Sequence, residues 1–276
     1  VPSGGRNIDA DACDVDKDGD YDLFVARDSG QNTNKYFENT TQTPDTHAPY
    51  IPNVESVGNQ TASASPVIMR AQVYDNAPYY ITWYNETNAD MSVNGHTIPS
   101  VSMVSSGGQI FRAELPGNLV GSVLYRVRSD DEYNNTGFSA VESYTGSTGL
   151  SIGGNYGTST NGSLGAPTLE ALSVAFAGTT LYVAGGNTPP GTPIFLSLNS
   201  ASAPSIPLPG IGILNVGGST WATIAASASA AGDFVLPLGL SPTLPSGASL
   251  FMQYFTLDGT GGDLLGCSQG LEVITQ

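Results

Sequence analysis

Short runs in which apolar and polar residues alternate recur along this chain, and they constrain its fold more than any other feature. Ser65–Tyr74 and Ser122–Arg128 are two examples, each bounded by turn-forming residues. Glycine (34 residues) and proline (18 residues) supply those turns, and no window carries the apolar stripe of an amphipathic helix. The pattern predicts an all-β fold. The alanine-rich stretch Thr220–Ala231 is the one place where a short helix competes with a strand.

The alternating runs fall into two groups that are separated by polar, glycine-rich or proline-rich stretches. The short runs between residues 50 and 144 predict a two-sheet β-sandwich, and those between residues 166 and 276 predict a second one, punctuated by turns at Pro189-Pro190-Gly191 and Pro209-Gly210. The predicted divisions are an N-terminal segment with its linker (1–45), one sandwich (50–144), a Gly/Ser/Thr-rich linker (145–165) and the other sandwich (166–276).

The chain carries a formal net charge of −16, and none of its eight basic residues lies beyond Arg128. Surfaces that bind phosphate groups need clustered cations, so we expect neither nucleic acid nor an anionic membrane as a partner. No apolar run approaches the roughly 20 residues of a membrane helix, so we expect no membrane insertion. The sequence opens on Val1 without a signal peptide. This favours a processed or excised piece of a secreted precursor, located outside the cell or at its surface.

The stretch DVDKDGDYD, Asp14 to Asp22, concentrates carboxylates that repel one another and raise one another's pKa unless a cation lies among them. Loop positions 1, 3, 5 and 9 are Asp14, Asp16, Asp18 and Asp22. Gly19 permits a sharp bend, and the backbone carbonyl of Asp20 adds a ligand. Calcium binds six to eight oxygens at about 2.3–2.6 Å, so the loop predicts a Ca²⁺ site. A solvated acidic turn is the alternative.

An EF-hand closes with a bidentate glutamate at position 12 of its loop, where this chain has Val25 in the strand-like run Leu23–Ala26. The pattern D-x-D-x-D-G-x-x-D-L-x-V, followed about ten residues later by Asn34–Asn39, resembles the FG-GAP/VCBS repeats of integrin-like propellers over about residues 6–40. The resemblance implies a loop that links two blade strands and binds Ca²⁺. The implied ligands are Asp14, Asp16, Asp18, Asp22 and the backbone of Asp20. One repeat cannot close a propeller, so we expect this hairpin to dock on the adjacent sandwich or on a neighbouring copy.

Trp83 lies in the run Tyr79–Tyr84 of the first predicted sandwich, which resembles the immunoglobulin and fibronectin type III spacers of extracellular proteins. We expect Trp83 to fill the core, with a sugar-stacking platform as the alternative. Asp75, Asp130 and Asp131 are candidates for a second Ca²⁺ site at one pole of this sandwich. The second predicted sandwich resembles C-terminal modules of large secreted bacterial proteins that serve sorting or attachment.

The two cysteines, Cys13 and Cys267, lie near opposite ends of the sequence. In an oxidising compartment we expect them to form a disulfide, either within one subunit or between neighbouring subunits. In a reducing compartment they are idle thiols. The sequence leaves these alternatives open, because it does not give the Cα–Cα distance that a bridge requires.

Recognisable catalytic motifs are absent from the sequence: there is no G-x-S-x-G, no H-E-x-x-H and no familiar Cys–His spacing. His47 lies in a polar linker and His96 in an apparent turn, where we expect both to be exposed. We therefore expect a protein that is not an enzyme. The leading hypothesis is an extracellular structural protein that Ca²⁺ stabilises and that self-assembles into a surface fibre or layer by strand addition. The alternative is an adhesive or carbohydrate-binding, non-catalytic fragment that binds surface proteins or glycans; a third reading is the non-catalytic tail of a hydrolase.

Overall fold

The computed structural model describes residues 6–16, 21–28, 33–40, 46–75, 84–258 and 263–276. The regular elements within those ranges are all β-strands, and they form five sheets. The predicted all-β fold, with two β-sandwiches after an N-terminal hairpin, is confirmed. None of the described residues forms a helix long and apolar enough to cross a bilayer.

The N-terminal sheet is antiparallel and has three strands, β1 (Arg6–Cys13), β2 (Asp22–Asp28) and β3 (Lys35–Phe37). Leu23 pairs with Ala12 on one side and with Phe37 on the other. The hairpin predicted from Leu23–Ala26 and the following Lys35–Asn39 is therefore present. Among the described residues, the strands of this sheet pair only with one another.

The first sandwich consists of β4 (Tyr50–Val54), β5 (Gln60–Thr61), β6 (Val67–Tyr74), β7 (Glu86–Val93), β8 (His96–Ser102), β9 (Val104–Gly107), β10 (Ile110–Leu115), β11 (Gly121–Asp130), β12 (Thr136–Phe138) and β13 (Glu142–Ser147). One sheet has the order β4-β6-β10-β9, and the other has the order β5-β13-β11-β7-β8 with β12 beside β11. Alternation along β6 buries Met69 and Val73 in the core, where Val123 and Val127 of β11 also lie.

Strand β8 departs from the sequence-based expectation, which placed His96 in a turn. Asn94 (φ 51°) and Gly95 (φ 89°) make the turn, and His96 begins the strand. Pro99 and several polar residues interrupt the alternation in β8, so the pattern does not reveal it. Of the predicted run Tyr79–Tyr84, all but the last residue lie outside the described residues, so the expectation that Trp83 fills the core stays a prediction, and Tyr84 is not part of a strand.

The second sandwich consists of β14 (Gly154–Tyr156), β15 (Thr168–Ala171), β16 (Thr180–Gly186), β17 (Pro193–Leu208), β18 (Gly212–Ser227), β19 (Phe234–Gly239), β20 (Ser249–Thr256), β21 (Gly266–Cys267) and β22 (Gly270–Ile274). Its larger sheet has the order β14-β22-β20-β17-β18 with β21 beside β20, and its smaller sheet has the order β15-β16-β19. Leu181, Ile194, Leu196, Met252 and Tyr254 are fully buried between the sheets. The predicted Pro-Gly turn at Pro209-Gly210 joins β17 to β18: Gly210 has a φ of 73°, and the Ile211 amide donates to the Leu208 carbonyl at 2.9 Å.

The stretch Thr220–Ala231 is not helical. Residues up to Ser227 continue β18, and Ala222–Ser227 pair in unbroken register with Leu198–Pro193 of β17. Alanine favours a helix, but Thr223 and Ile224 favour a strand, and the pairing with β17 decides between them.

Part of the glycine-rich stretch 145–165 also lies in a sheet. Gly154–Tyr156 form β14 and pair antiparallel with β22, and Thr160 exchanges two backbone hydrogen bonds with Cys267. Strand β14 and the segment at Thr160 pair despite the glycine content of this stretch, because β22 and Cys267, near the end of the sequence, supply their partners.

The two sandwiches share core residues and backbone hydrogen bonds. Leu172, Tyr182 and Ala184 belong to the second sandwich but pack in the core of the first. The Val120 amide donates to the Leu172 carbonyl at 3.0 Å. Asn118, which is buried, donates through Nδ2 to the carbonyl oxygens of Val174 and Thr180, each at 2.9 Å. The two β-sandwiches are therefore coupled through packing and hydrogen bonds.

Candidate metal centre

Three of the five predicted calcium ligands converge at one end of the N-terminal sheet. Asp14 directly follows β1 and Asp22 opens β2, and the register that pairs Cys13 with Asp22 brings the two carboxylates together. One carboxylate oxygen from each of Asp14, Asp16 and Asp22 lies within 4.8 Å of the others. Asp14 and Asp22 are buried (0% and 1% exposed), whereas Asp16 is exposed. Asp18 and Asp20 lie outside the described residues.

Hydrogen bonds from three parts of the sheet fix the Asp22 carboxylate. Its Oδ2 accepts from the Val15 amide at 3.0 Å and from the Tyr36 hydroxyl at 2.8 Å. Its Oδ1 accepts from the Asn39 amide at 2.9 Å. The loop after β1, strand β3 and the segment after β3 all orient this one side chain.

These hydrogen bonds keep Asp22 in its ionised form. Burial raises the pKa of Asp22, but the hydrogen bonds from Asn39, Tyr36 and Val15 outweigh it and lower the pKa below its ordinary value. The pKa of the Tyr36 hydroxyl is raised, chiefly because it donates to the Asp22 carboxylate. The Asp22 carboxylate is therefore kept ionised although it is buried, and the ionised form is the one that binds a cation.

The donor chemistry of the cluster fits a hard divalent cation. Ca²⁺ prefers carboxylate and carbonyl oxygens, and three carboxylates from one loop converge here. Two buried carboxylates that face each other repel strongly, and a cation among them converts that repulsion into binding energy. The third carboxylate of the cluster, that of Asp16, is exposed, so the cluster is open to solvent on that side.

The candidates for a second calcium site do not gather in this way. Asp131 closes its own turn, accepting from the amides of Tyr133 and Asn135 at 2.8 Å. Asp130 forms an ion pair with Arg128 and accepts from the Thr136 hydroxyl at 2.6 Å. Within the described part of the chain, only the cluster at Asp14 groups three acidic side chains closely enough to hold a metal, and Asp75, Asp130 and Asp131 do not form such a group.

Cys13 and Cys267 are both free thiols, in the N-terminal sheet and the second sandwich respectively. Burial raises the pKa of both thiols, and at Cys13 the carboxylates of Asp11, Asp22 and Asp14 raise it further. Cys267 is 1% exposed. A disulfide between subunits would therefore require the second sandwich to open around Cys267.

The thiols are expected to differ in reactivity. A water-soluble maleimide under native conditions should label Cys13 at least about tenfold faster than Cys267, because only Cys13 is partly accessible. Peptide mass spectrometry of a labelling time course measures both rates. Equal rates, or a native Cys267 that is already oxidised to a disulfide, would contradict this assignment of the thiols.

His96 makes polar contacts that were not predicted from the sequence. Its side chain is 19% exposed and lies between two acids of the second sandwich, with Nε2 3.2 Å from Glu170 Oε1 and Nδ1 3.8 Å from Asp233 Oδ2. The expectation of an exposed His96 is wrong for this reason. Its partners lie more than 70 residues away in the sequence, so no local pattern identifies them.

No protein-family model and no curated protein matches this chain. Among solved structures, it is similar to CopC from Methylosinus trichosporium OB3b, at 9% identity over 38% of this chain and 98% of that one, with a TM-score of 0.27. It is also similar to the CbhA fibronectin(III)-like modules of Clostridium thermocellum, at 10% identity over 81% and 92% of the two chains, with a TM-score of 0.24. The FN1–FN3 domains of chicken CNTN1 align at 10% identity over 93% and 77%, with a TM-score of 0.26. At these scores the likenesses carry no argument about function, and the resemblance to FG-GAP/VCBS repeats rests on its sequence motif alone.

Proposed function

We propose that this chain is a non-catalytic structural protein of the cell surface or extracellular space, and that a structural Ca²⁺ stabilises its N-terminal sheet. Asp14, Asp16 and Asp22 bind the ion, and Asp18 and the backbone carbonyl of Asp20 complete its shell as the repeat motif implies. The observation that carries the proposal is the convergence of three carboxylates, two of them buried, where β1 meets β2.

The N-terminal sheet needs a source of stability other than packing. Val25 is its one buried apolar side chain among the described residues, while Leu23, Phe24 and Phe37 are each more than one third exposed. A three-stranded sheet with so small a core is marginal in water. Extracellular calcium modules bind at about 10⁻⁴–10⁻³ M, and an ion at 100 times its Kd adds about 2.7 kcal/mol to the folded state.

The exposed apolar side chains of the N-terminal sheet also favour assembly. Phe24 and Phe37 lie on a sheet that makes no strand pairing with either sandwich among the described residues. A hairpin of this kind suits docking on a neighbouring copy, and such a head-to-tail contact propagates into a fibre or layer. Calcium rigidifies the hairpin for that contact.

Calcium is expected to protect the N-terminal sheet from trypsin. Four of the eight basic residues, Arg6, Lys17, Arg27 and Lys35, lie in or beside it, and none lies beyond Arg128. With 5 mM CaCl₂ (roughly 5–50 times the Kd expected of such modules), cleavage after Arg27 and Lys35 should slow at least about fivefold relative to EDTA. Isothermal titration calorimetry should show a single Ca²⁺ site.

Two double variants, matched in charge, each replace two aspartates of the N-terminal hairpin with asparagine. Asp14→Asn with Asp22→Asn should abolish both the calorimetric signal and the protection from trypsin. Asp9→Asn with Asp11→Asn, at exposed positions of β1 outside the cluster, should retain both. The proposed Ca²⁺ site would be contradicted by cleavage rates that are the same in CaCl₂ and EDTA. It would also be contradicted by calcium binding that survives in the Asp14/Asp22 variant.

A further inference from the structure

Strand β18 leaves a long edge of the larger sheet of the second sandwich open. It is the last strand in the order β14-β22-β20-β17-β18 and, among the described residues, pairs only with β17. Residues Gly218–Ser227 are exposed along this edge except for Ile224 and Ala226, which are half-buried against the core. A bulge lies at Trp221, and from Ala222 to Ser227 the register is unbroken.

The other edge strands carry features that block pairing with another chain. Short strands, proline and charge are the common protective devices. Strands β3, β5, β9, β14 and β15 have four residues or fewer; β4, β8 and β19 contain Pro52, Pro99 and Pro237; β1 carries Asp9 and Asp11. Beyond the bulge at Trp221, the exposed end of β18 has none of these devices, since Ala222–Ser227 contains no proline and no charged residue and pairs with β17 in unbroken register.

The charge distribution favours a second copy of this chain as the occupant of the edge. The chain carries a net charge of −16, so most approaches of two copies are repulsive. Residues 171–232, which include all of β17 and β18, contain no acidic, basic or histidine side chain. At β18 two copies can meet with neutral backbone and small side chains, and Trp221, 54% exposed beside the edge, adds apolar area.

We propose that β18 is a dimer interface at which a second copy adds its own β18 in antiparallel register about a two-fold axis. The larger sheet of the second sandwich in one copy then continues into the same sheet of the other copy. The interface is formed by the same surface on both copies. The free amide and carbonyl groups of the edge supply the hydrogen bonds. This interface involves no metal ligand and is independent of the calcium site.

The test combines oligomeric state with amide exchange. Sedimentation velocity of the full chain in EDTA, which removes the calcium that supports the N-terminal contact, should show a dimer that dissociates on dilution. The Asp14→Asn/Asp22→Asn variant should have the same dimer Kd. Hydrogen–deuterium exchange should slow for the amides of residues 222–227 as protein concentration rises. Thr223→Lys with Ala225→Lys places four charges across the two-fold axis and should raise the dimer Kd at least about tenfold, because like charges opposed across strands repel.

A matched control separates this effect from a general effect of charge. Ser143→Lys with Thr145→Lys adds the same two charges per copy at exposed positions of β13, which is paired on both sides, and should leave the Kd unchanged. A chain that is monomeric at all concentrations, or a dimer that the β18 variant does not weaken, overturns the proposal. Protection of residues 222–227 in the monomer also overturns it, since another segment would then cover the edge. Circular dichroism confirms that each variant is folded.

Discussion

Leu172→Ala is expected to lower the free energy of unfolding by about 2–5 kcal/mol and to separate the unfolding of the two sandwiches. Leu172 is fully buried, and although it lies in the second sandwich it packs in the core of the first. The native pair should unfold in one cooperative transition, because that shared core and the hydrogen bond from Val120 to Leu172 link them. A cavity at this position removes packing from both sides of the junction at once.

Differential scanning calorimetry, combined with hydrogen exchange of residues 86–130 and 180–256, measures this effect. The native chain should show one transition in which both ranges lose protection together, and the variant should show two. Leu164→Ala is the control, because Leu164 is 57% exposed and its loss should change stability by less than about 0.5 kcal/mol. Two separate transitions in the native chain would mean that the shared core does not couple the sandwiches.

Gly153→Ala is expected to destabilise the second sandwich by at least about 2 kcal/mol and to release β14 from β22. Gly153 has a φ of 90°, where an L side chain is strained, and a Cβ atom there would collide with the Glu272 carbonyl oxygen. The backbone of β22 cannot move away without breaking its pairing with β20. The strain is therefore relieved by detachment of β14.

The adjacent residue supplies the control for this substitution. A Cβ atom at Gly154 meets nothing within 4 Å, and Gly154 does not adopt a positive φ, so Gly154→Ala should be neutral within about 1 kcal/mol. Urea unfolding measures both free energies, and hydrogen exchange of Leu271–Val273 reports on β14. Equal stability of the two variants would show that the chain at Gly153 does not follow the backbone described above.

Strands with regular alternation were predictable from the sequence, and strands defined by distant partners were not. The run Ser65–Tyr74 contains β6, the run Ser122–Arg128 lies in β11, and buried positions alternate with more exposed ones along most of both strands. Residues 154–156 have almost no apolar content, and only the arrival of β22 from the end of the sequence makes them a strand. At β18 a helix-favouring alanine run takes the strand conformation that its neighbour β17 imposes.

The candidate metal centre was likewise predictable from the sequence only in part. Aspartate spacing predicted the grouping of Asp14, Asp16 and Asp22, because the pairing of β1 with β2 brings the two ends of the connecting loop together. The parts played by the Tyr36 hydroxyl and the Asn39 amide at Asp22 were not predicted. The sequence motif included both residues, but their roles depend on how β3 pairs with β2, which local spacing does not specify.

The pairing of β14 with β22 determines how the second sandwich responds to tension. The strands are antiparallel with Gly154 opposite Glu272, so a pull applied through residues 153 and 276 separates them from one end. Hydrogen bonds loaded in this way rupture one after another, as in a zipper, rather than sharing the force. Strand β22 stays bonded to β20 when β14 leaves, so the sandwich keeps its main sheet. Stretching this protein would therefore first extend a short sacrificial length, at up to about 3.3–3.6 Å per residue, before the sandwich carries the full load.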